Sequence, residues 1–130
     1  MSTKPRGIAP YFLVADVRLA AEYYRDKLGF EIGPYFLEPP VFVILQRDGA
    51  AIQLSRHQGD HAGSNRRWSA EAYDAYIWVD DVDALYRGFT EKQADVIESP
   101  RLKEYGMKEM DVRDPDGYII RWGQDIPDQG

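Results

Sequence analysis

"PYFLVADVRLAAEYYRDKLG", residues 10–29, decides the fold. Residues 10–16 are an apolar strand that runs into Asp16, whose short carboxylate suits a helix N-cap. Beyond it Val17, Ala20, Ala21, Tyr24 and Leu28 recur at helical spacing, and Gly29 suits the left-handed turn that ends a helix. Two further strands are expected at VFVILQR (41–47) and AAIQLSR (50–56), joined through the hairpin dipeptide Asp48-Gly49. The first half thus reads strand, helix, strands.

The second half repeats the pattern. AYIWVDD (75–81) is a strand ending on Asp81, and Val82, Leu85, Tyr86 and Phe89 then share one helical face. MKEMDVRD (107–114) and GYIIRWG (117–123) close as a hairpin around Asp116-Gly117. Val14 maps onto Val79 with a shift of 79 − 14 = 65, and Asp48 onto Asp116 with a shift of 116 − 48 = 68. Two shifts this close indicate one duplicated module. A single domain is expected over 1–130, α+β in class, with two βαβββ modules at about 8–56 and 73–123. A polar segment over 57–72 reads as a surface linker. The additional strand of each module has only two candidates, GFEIGPYFL (29–37) and ADVIESP (94–100).

Composition narrows the function classes. The formal net charge is −6, from 16 basic and 22 acidic residues, which repels nucleic-acid phosphates and anionic lipid. Arg66 and Arg67 are the one basic doublet of the linker and are expected to be solvated. With no cysteine, disulfides and thiolate chemistry are excluded. No apolar run reaches 18 residues, and MSTKPRGIAP lacks the apolar core of a secretory signal, so a cytoplasmic location is expected. His57 and His61 have the spacing of helical zinc ligands, but Gly59 and Gly63 argue against a helix there.

Three pieces in order carry a family resemblance: strand-"ADV"-helix with "YYRDKLGF", then "DAYIWVDDVDALY", then "YGMKEMDVRDPDGYIIRWG". The chain resembles the vicinal oxygen chelate superfamily, which contains glyoxalases, extradiol dioxygenases and bleomycin-resistance proteins, and it looks most like the bleomycin-resistance type. That resemblance implies a concave, partly open sheet and a homodimer. In the enzymes it implies a divalent metal held by four side chains, usually His, Gln or Glu, since such ions favour N and O donors. The matching positions here are Ala9, Gln53, Asp74 and Arg121. A methyl cannot ligate, and a guanidinium has no lone pair to give. The expectation is therefore a protein without metal or cofactor that sequesters an antibiotic-like small molecule, cationic or aromatic, and is not an enzyme. The alternative is a metal-dependent lyase or dioxygenase with shifted ligands, drawing on Asp74, Gln53, Glu109 or a histidine.

Strand alternation names the candidate ligand face. Ile120 and Trp122 belong under the helices, which leaves Arg121 on the concave side, where a pair with Asp74 is expected. By the same parity Tyr11, Asp74, Tyr76 and Trp78 face the concavity and Glu109 and Asp111 face it or its rim; the resemblance adds Gln53 and implies that Tyr105 and Tyr35 border it from loops. Aromatic walls with carboxylates suit a flat, amine-bearing ligand.

Overall fold

Asp16 and Asp81 turn strand into helix in the same way. Each carboxylate accepts a hydrogen bond, at 3.0 Å, from the backbone N–H three residues on, Leu19 in one case and Ala84 in the other. The helices they start are α1 (Val17–Leu28) and α2 (Val82–Glu91), in a computed structural model that describes residues 1–127. Gly29 ends α1 with φ 78°, a conformation that a Cβ disfavours, and Arg47 caps the same end by donating to the Leu28 carbonyl at 2.6 Å.

The strands are β1 (Tyr11–Val14), β2 (Glu31–Ile32), β3 (Phe42–Arg47) and β4 (Ala50–Arg56) in the first module. The second holds β5 (Ala75–Trp78), β6 (Val96–Leu102), β7 (Met107–Arg113) and β8 (Ile119–Asp125). They form two open four-stranded sheets, ordered β1-β4-β3-β2 and β5-β8-β7-β6. The order is the same in both, with one parallel pair (β1 with β4, β5 with β8) and antiparallel pairs elsewhere. The α+β reading with two tandem βαβββ modules is therefore correct. Both uncertain strands fall where their candidates stood, although β2 is only two residues long. No helix among the described residues is long and apolar enough to cross a membrane.

One core serves both modules. Every apolar position assigned to the buried face of α1 is buried, and so are Val82 and Phe89 of α2. Trp122 of β8 meets Phe30 of the first module and Phe89 of the second edge-on. Phe12 stacks flat on Tyr118 at 4.3 Å, and the Tyr118 hydroxyl donates to the Leu13 carbonyl. α1 also reaches across: Tyr24 donates to Asp114 at 2.7 Å and Tyr23 to the Arg113 carbonyl. Burial of these aromatic faces against each other fuses the modules, at roughly 25 cal/mol per Å² of apolar surface covered.

Asp114 gives this junction a pH dependence. Its carboxylate is 4% exposed and accepts from Tyr24 and from the backbone N–H groups of Asp116 and Tyr118. Burial nevertheless pushes its pKa up to about 6 from the ordinary 3.8. The folded state thus favours the protonated acid. Its contribution is fully present below pH 3.8 and is lost as pH rises through 6, a swing of up to about 3 kcal/mol. The denaturation midpoint is expected to rise as pH falls from 7.5 to 5, and Asp114→Asn, which keeps an oxygen for the two N–H groups, is expected to flatten that slope. An equal slope in the variant would locate the effect elsewhere.

Candidate functional site

β7 and β8 are paired so that Asp111 stands directly opposite Arg121 and Glu109 opposite Gly123. Arg121 lies on the sheet face opposite the core residues Ile120 and Trp122, as alternation requires, but it is not a surface residue; it is 7% exposed. Its partner is not Asp74. Nε donates to Asp111 Oδ1 at 2.7 Å and Nη2 to Asp111 Oδ2 at 2.9 Å, a two-pronged pair with the planar fork matched to the carboxylate. Nη2 also donates to the Glu71 carbonyl, and the guanidinium lies 4.7 Å over the Tyr73 ring.

Asp74 is occupied elsewhere. Its Oδ2 accepts from the Ser64 hydroxyl at 2.6 Å and the Ile119 N–H at 2.8 Å, and its Oδ1 from the Asn65 N–H at 2.7 Å. It fastens the linker to the start of β8. A short acidic side chain before a strand reads equally well as a ligand or as a loop clamp, and here the neighbouring N–H groups claim it.

The linker is likewise more than a solvated connection. It makes a 3-10 turn at Asn65–Arg67, buries Ser64, and sends Arg66 to Asp111 Oδ2 at 2.7 Å. Arg66 thus supplies the second cation of the network. Burial works to raise the Asp111 carboxyl, but the hydrogen bonds from Arg121 and Arg66 outweigh it and hold it below its ordinary value. The same pairing drives the Arg121 pKa upward.

Glu109, 3% exposed, accepts one phenol on each oxygen: Tyr76 on Oε2 at 2.7 Å and Tyr105 on Oε1. Burial and this carboxylate raise the Tyr76 phenol, and the hydrogen bond to Glu109 pushes Tyr105 up to about 12. Tyr76 starts on β5 and must cross β8 to reach β7. It passes over Gly123, where any Cβ would overlap its ring and hydroxyl. Gly123, Arg66 and Tyr73 are the residues that sequence reading missed. Counting the hairpin register would have found the Asp111 pair, since 111 + 121 = 113 + 119; nothing local marks Arg66 or Tyr73.

Glu109 and Asp111 are thus not free negative charge. Two arginines and two carboxylates balance, which leaves the buried layer neutral. Above it lies an aromatic surface: Tyr73 meets Tyr76 at 5.6 Å, Tyr76 meets Trp78 at 4.8 Å, and Trp78 is 74% exposed. Five of the expected site residues therefore come together (Tyr76, Tyr105, Glu109, Asp111 and Arg121), with Trp78 beside them. Tyr11 and Gln53 face each other on the other sheet, β1 against β4. Tyr35 packs beneath Arg18 of α1. A cleft of about 1020 Å³ opens along β5, between Pro10, Ala51 and Ile52 on one side and Leu85 and Phe89 on the other. Tyr76 and Trp78 reach this cleft, whereas Arg121, Glu109 and Asp111 do not line it.

The metal positions of the resemblance do not fit an ion. Ala9 has no donor, Arg121 is a buried cation, and both Asp74 oxygens are taken. Of the shifted ligands, Glu109 is held by two phenols, and His57 and His61 lie in a non-helical stretch with ring centroids 4.6 Å apart. Among the described residues no three His, Cys, Asp or Glu side chains gather to hold a metal.

A family model described as a glyoxalase superfamily protein matches residues 5–128, nearly the whole chain. The chain belongs to that superfamily. Among solved structures, TioX from Micromonospora sp. ML1 is similar at 18% identity, with a TM-score of 0.74, 94% of this chain and 100% of that one being covered. TnmS3, an antibiotic binding protein from Streptomyces sp. CB03234, is similar at 17% identity with a TM-score of 0.70, covering 96% and 99%. A glyoxalase/bleomycin resistance protein/dioxygenase from Alicyclobacillus acidocaldarius reaches a TM-score of 0.77 at 15% identity, covering 98% of both chains. At these identities the likeness establishes the fold. No curated protein sequence matched.

Proposed function

We propose that the chain binds and sequesters a small aromatic molecule of the antibiotic kind, leaving it chemically unchanged and using no metal. The observation that carries this is Arg121. A guanidinium stands where the superfamily's enzymes place a metal ligand, and it is locked to Asp111 beneath an open aromatic surface. Without a Lewis acid the electrophilic chemistry of the enzymes has no driver, whereas Tyr76 and Trp78 keep their stacking faces. The printed description of TnmS3 as an antibiotic binding protein supports the same reading. Tyr11 and Ile44 on one sheet, Trp78 on the other and Tyr105 in the turn between β6 and β7 are exposed apolar side chains. A homodimer that covers part of that surface, in the cytoplasm, belongs to this reading.

A few stacking contacts at roughly 1 kcal/mol each, added to buried apolar area, reach micromolar affinity. Trp78→Ala is expected to weaken binding of an aromatic antibiotic by about tenfold or more, followed by tryptophan fluorescence and calorimetry. Mass spectrometry of the recovered ligand is expected to show it unaltered, and elemental analysis of dialysed protein well below one metal per chain. A modified ligand, or stoichiometric metal at Gln53 and Asp74, would make the protein an enzyme instead.

A further inference from the structure

The duplication leaves one of its two seams open. In the first seam, α1 and β1 close against the turn between β7 and β8. Phe12 stacks on Tyr118, Tyr24 donates to Asp114, and Tyr23 donates to the Arg113 carbonyl. The second seam sets α2 and β5 against the turn between β3 and β4. The shift between modules puts Gly88 where Tyr23 stands (88 − 23 = 65) and Ile77 where Phe12 stands (77 − 12 = 65). Ala50 takes the place of Tyr118 (118 − 50 = 68). All three line the cleft of about 1020 Å³. The cleft is therefore the hollow counterpart of a seam that aromatic side chains fill.

Two observations point to an occupant. Gly88 lies inside α2, its φ is not positive, and a Cβ there would meet nothing within 4 Å. A glycine inside a helix is destabilising relative to alanine, and neither the backbone nor a neighbouring atom requires this one. What it provides is room. Trp122 also borders the cleft; it is 1% exposed, and its indole N–H is buried with no acceptor among the described residues. An indole nitrogen only donates, and a buried donor without an acceptor is costly. β5 is an edge strand, so the cleft passes round it from the aromatic surface. Tyr76 and Trp78 stand on one face of that strand, whereas Ile77 and Val79 alternate with them and pack against the core.

We propose that this second seam is a binding site, distinct from the aromatic surface, for an uncharged aliphatic compound bearing a carbonyl oxygen, such as a ketone or an ester. The chain lies between Ala50 and Ile52 of β4 and Leu85 and Gly88 of α2, and the oxygen accepts from Trp122 Nε1. Methyl-bearing walls cover a flexible chain through buried area alone. Charge sets the head. Exposed Asp48, Asp80 and Asp81 line the cleft with Arg47 and Lys92, and Arg47 is already held by the Leu28 carbonyl. An anion meets more like charge than opposite charge. An ammonium finds partners only among exposed carboxylates, where pairing is weak, and leaves the indole unsatisfied. A neutral acceptor alone completes the site.

The test is an NMR titration of the full chain with 2-octanone, octanoate and octylammonium. The ketone is expected to bind about tenfold or more tightly than either ion, as a site with one buried donor discriminates. It is also expected to move the Trp122 indole N–H signal, assigned by its persistence in Trp68→Phe and Trp78→Phe. Gly88→Tyr and Ala50→Tyr install the side chains of the closed seam, with circular dichroism checking the fold. Each is expected to weaken ketone binding by about tenfold or more, whereas Trp78→Ala leaves it within about twofold. No saturable ketone binding, a preference for either ion, an unmoved Trp122 signal, full affinity in the folded tyrosine variants, or a tenfold loss in Trp78→Ala would each overturn the inference. Aromatic sequestration is read separately, from the antibiotic titration, and does not fall with it.

Discussion

Arg121→Ala is expected to lower the stability of the fold by about 3–5 kcal/mol, the cost of removing one partner from a buried ion pair. Asp111 is 1% exposed, and its two oxygens accept three hydrogen bonds from guanidinium groups, two of them from Arg121. Without Arg121, Asp111 keeps Arg66 alone, Glu109 loses its nearest positive charge, and the Glu71 carbonyl loses its donor. The denaturant midpoint reads the loss directly. Removing both partners separates a stranded charge from a general packing defect. Arg121→Met combined with Asp111→Leu takes away charge and countercharge together, and apolar replacement of buried pairs is often close to neutral. The double variant is therefore expected to recover much of the loss. A single variant costing under about 0.5 kcal/mol would place Arg121 in solvent, contrary to its burial.

The second large effect is expected at a residue with no side chain. Gly123→Ala forces a methyl into the space crossed by the Tyr76 ring, and overpacking of this kind costs about 1–3 kcal/mol. Tyr76 has to leave, so Glu109 loses one of its two donors, a further cost of about 1–3 kcal/mol for a buried acceptor. A total near 2–4 kcal/mol follows, because relaxation relieves part of each term. The cause is separable by a double-mutant cycle. In a Tyr76→Ala background the ring is absent, and Gly123→Ala is expected to cost less than about 0.5 kcal/mol. If the cost persists there, the glycine is needed by the backbone and not by the tyrosine.

Local physics wrote most of the fold into the chain. Asp16 and Asp81 cap their helices because a short carboxylate reaches the first-turn N–H groups wherever it stands. The buried face of α1 follows from a 3.6-residue period, and the placement of Arg121 opposite Ile120 and Trp122 from a period of 2. These signals span four to twelve residues and need no knowledge of what packs against them. The βαβββ order was legible for the same reason, while the superfamily was legible only through the resemblance of three longer pieces of sequence in the right order.

Partner choice was a different matter. That Arg121 takes Asp111 rather than Asp74 depends on the register of β7 against β8, in which they stand opposite each other, and on backbone N–H groups of the linker and β8 that claim Asp74 first. The linker looked solvated because its composition is polar. Only the return of the chain from β4 to β5 brings Arg66 over the second sheet, where Asp111 offsets the desolvation of its charge. Gly123 is silent in one dimension, since its role is the volume it leaves to a ring from another strand. A residue's own conformational and hydrophobic preferences are carried by its near neighbours in sequence, and so they were readable. Hydrogen-bond pairing and steric room are properties of atoms brought together from 10 to 50 residues apart, and only the tertiary structure could assign them.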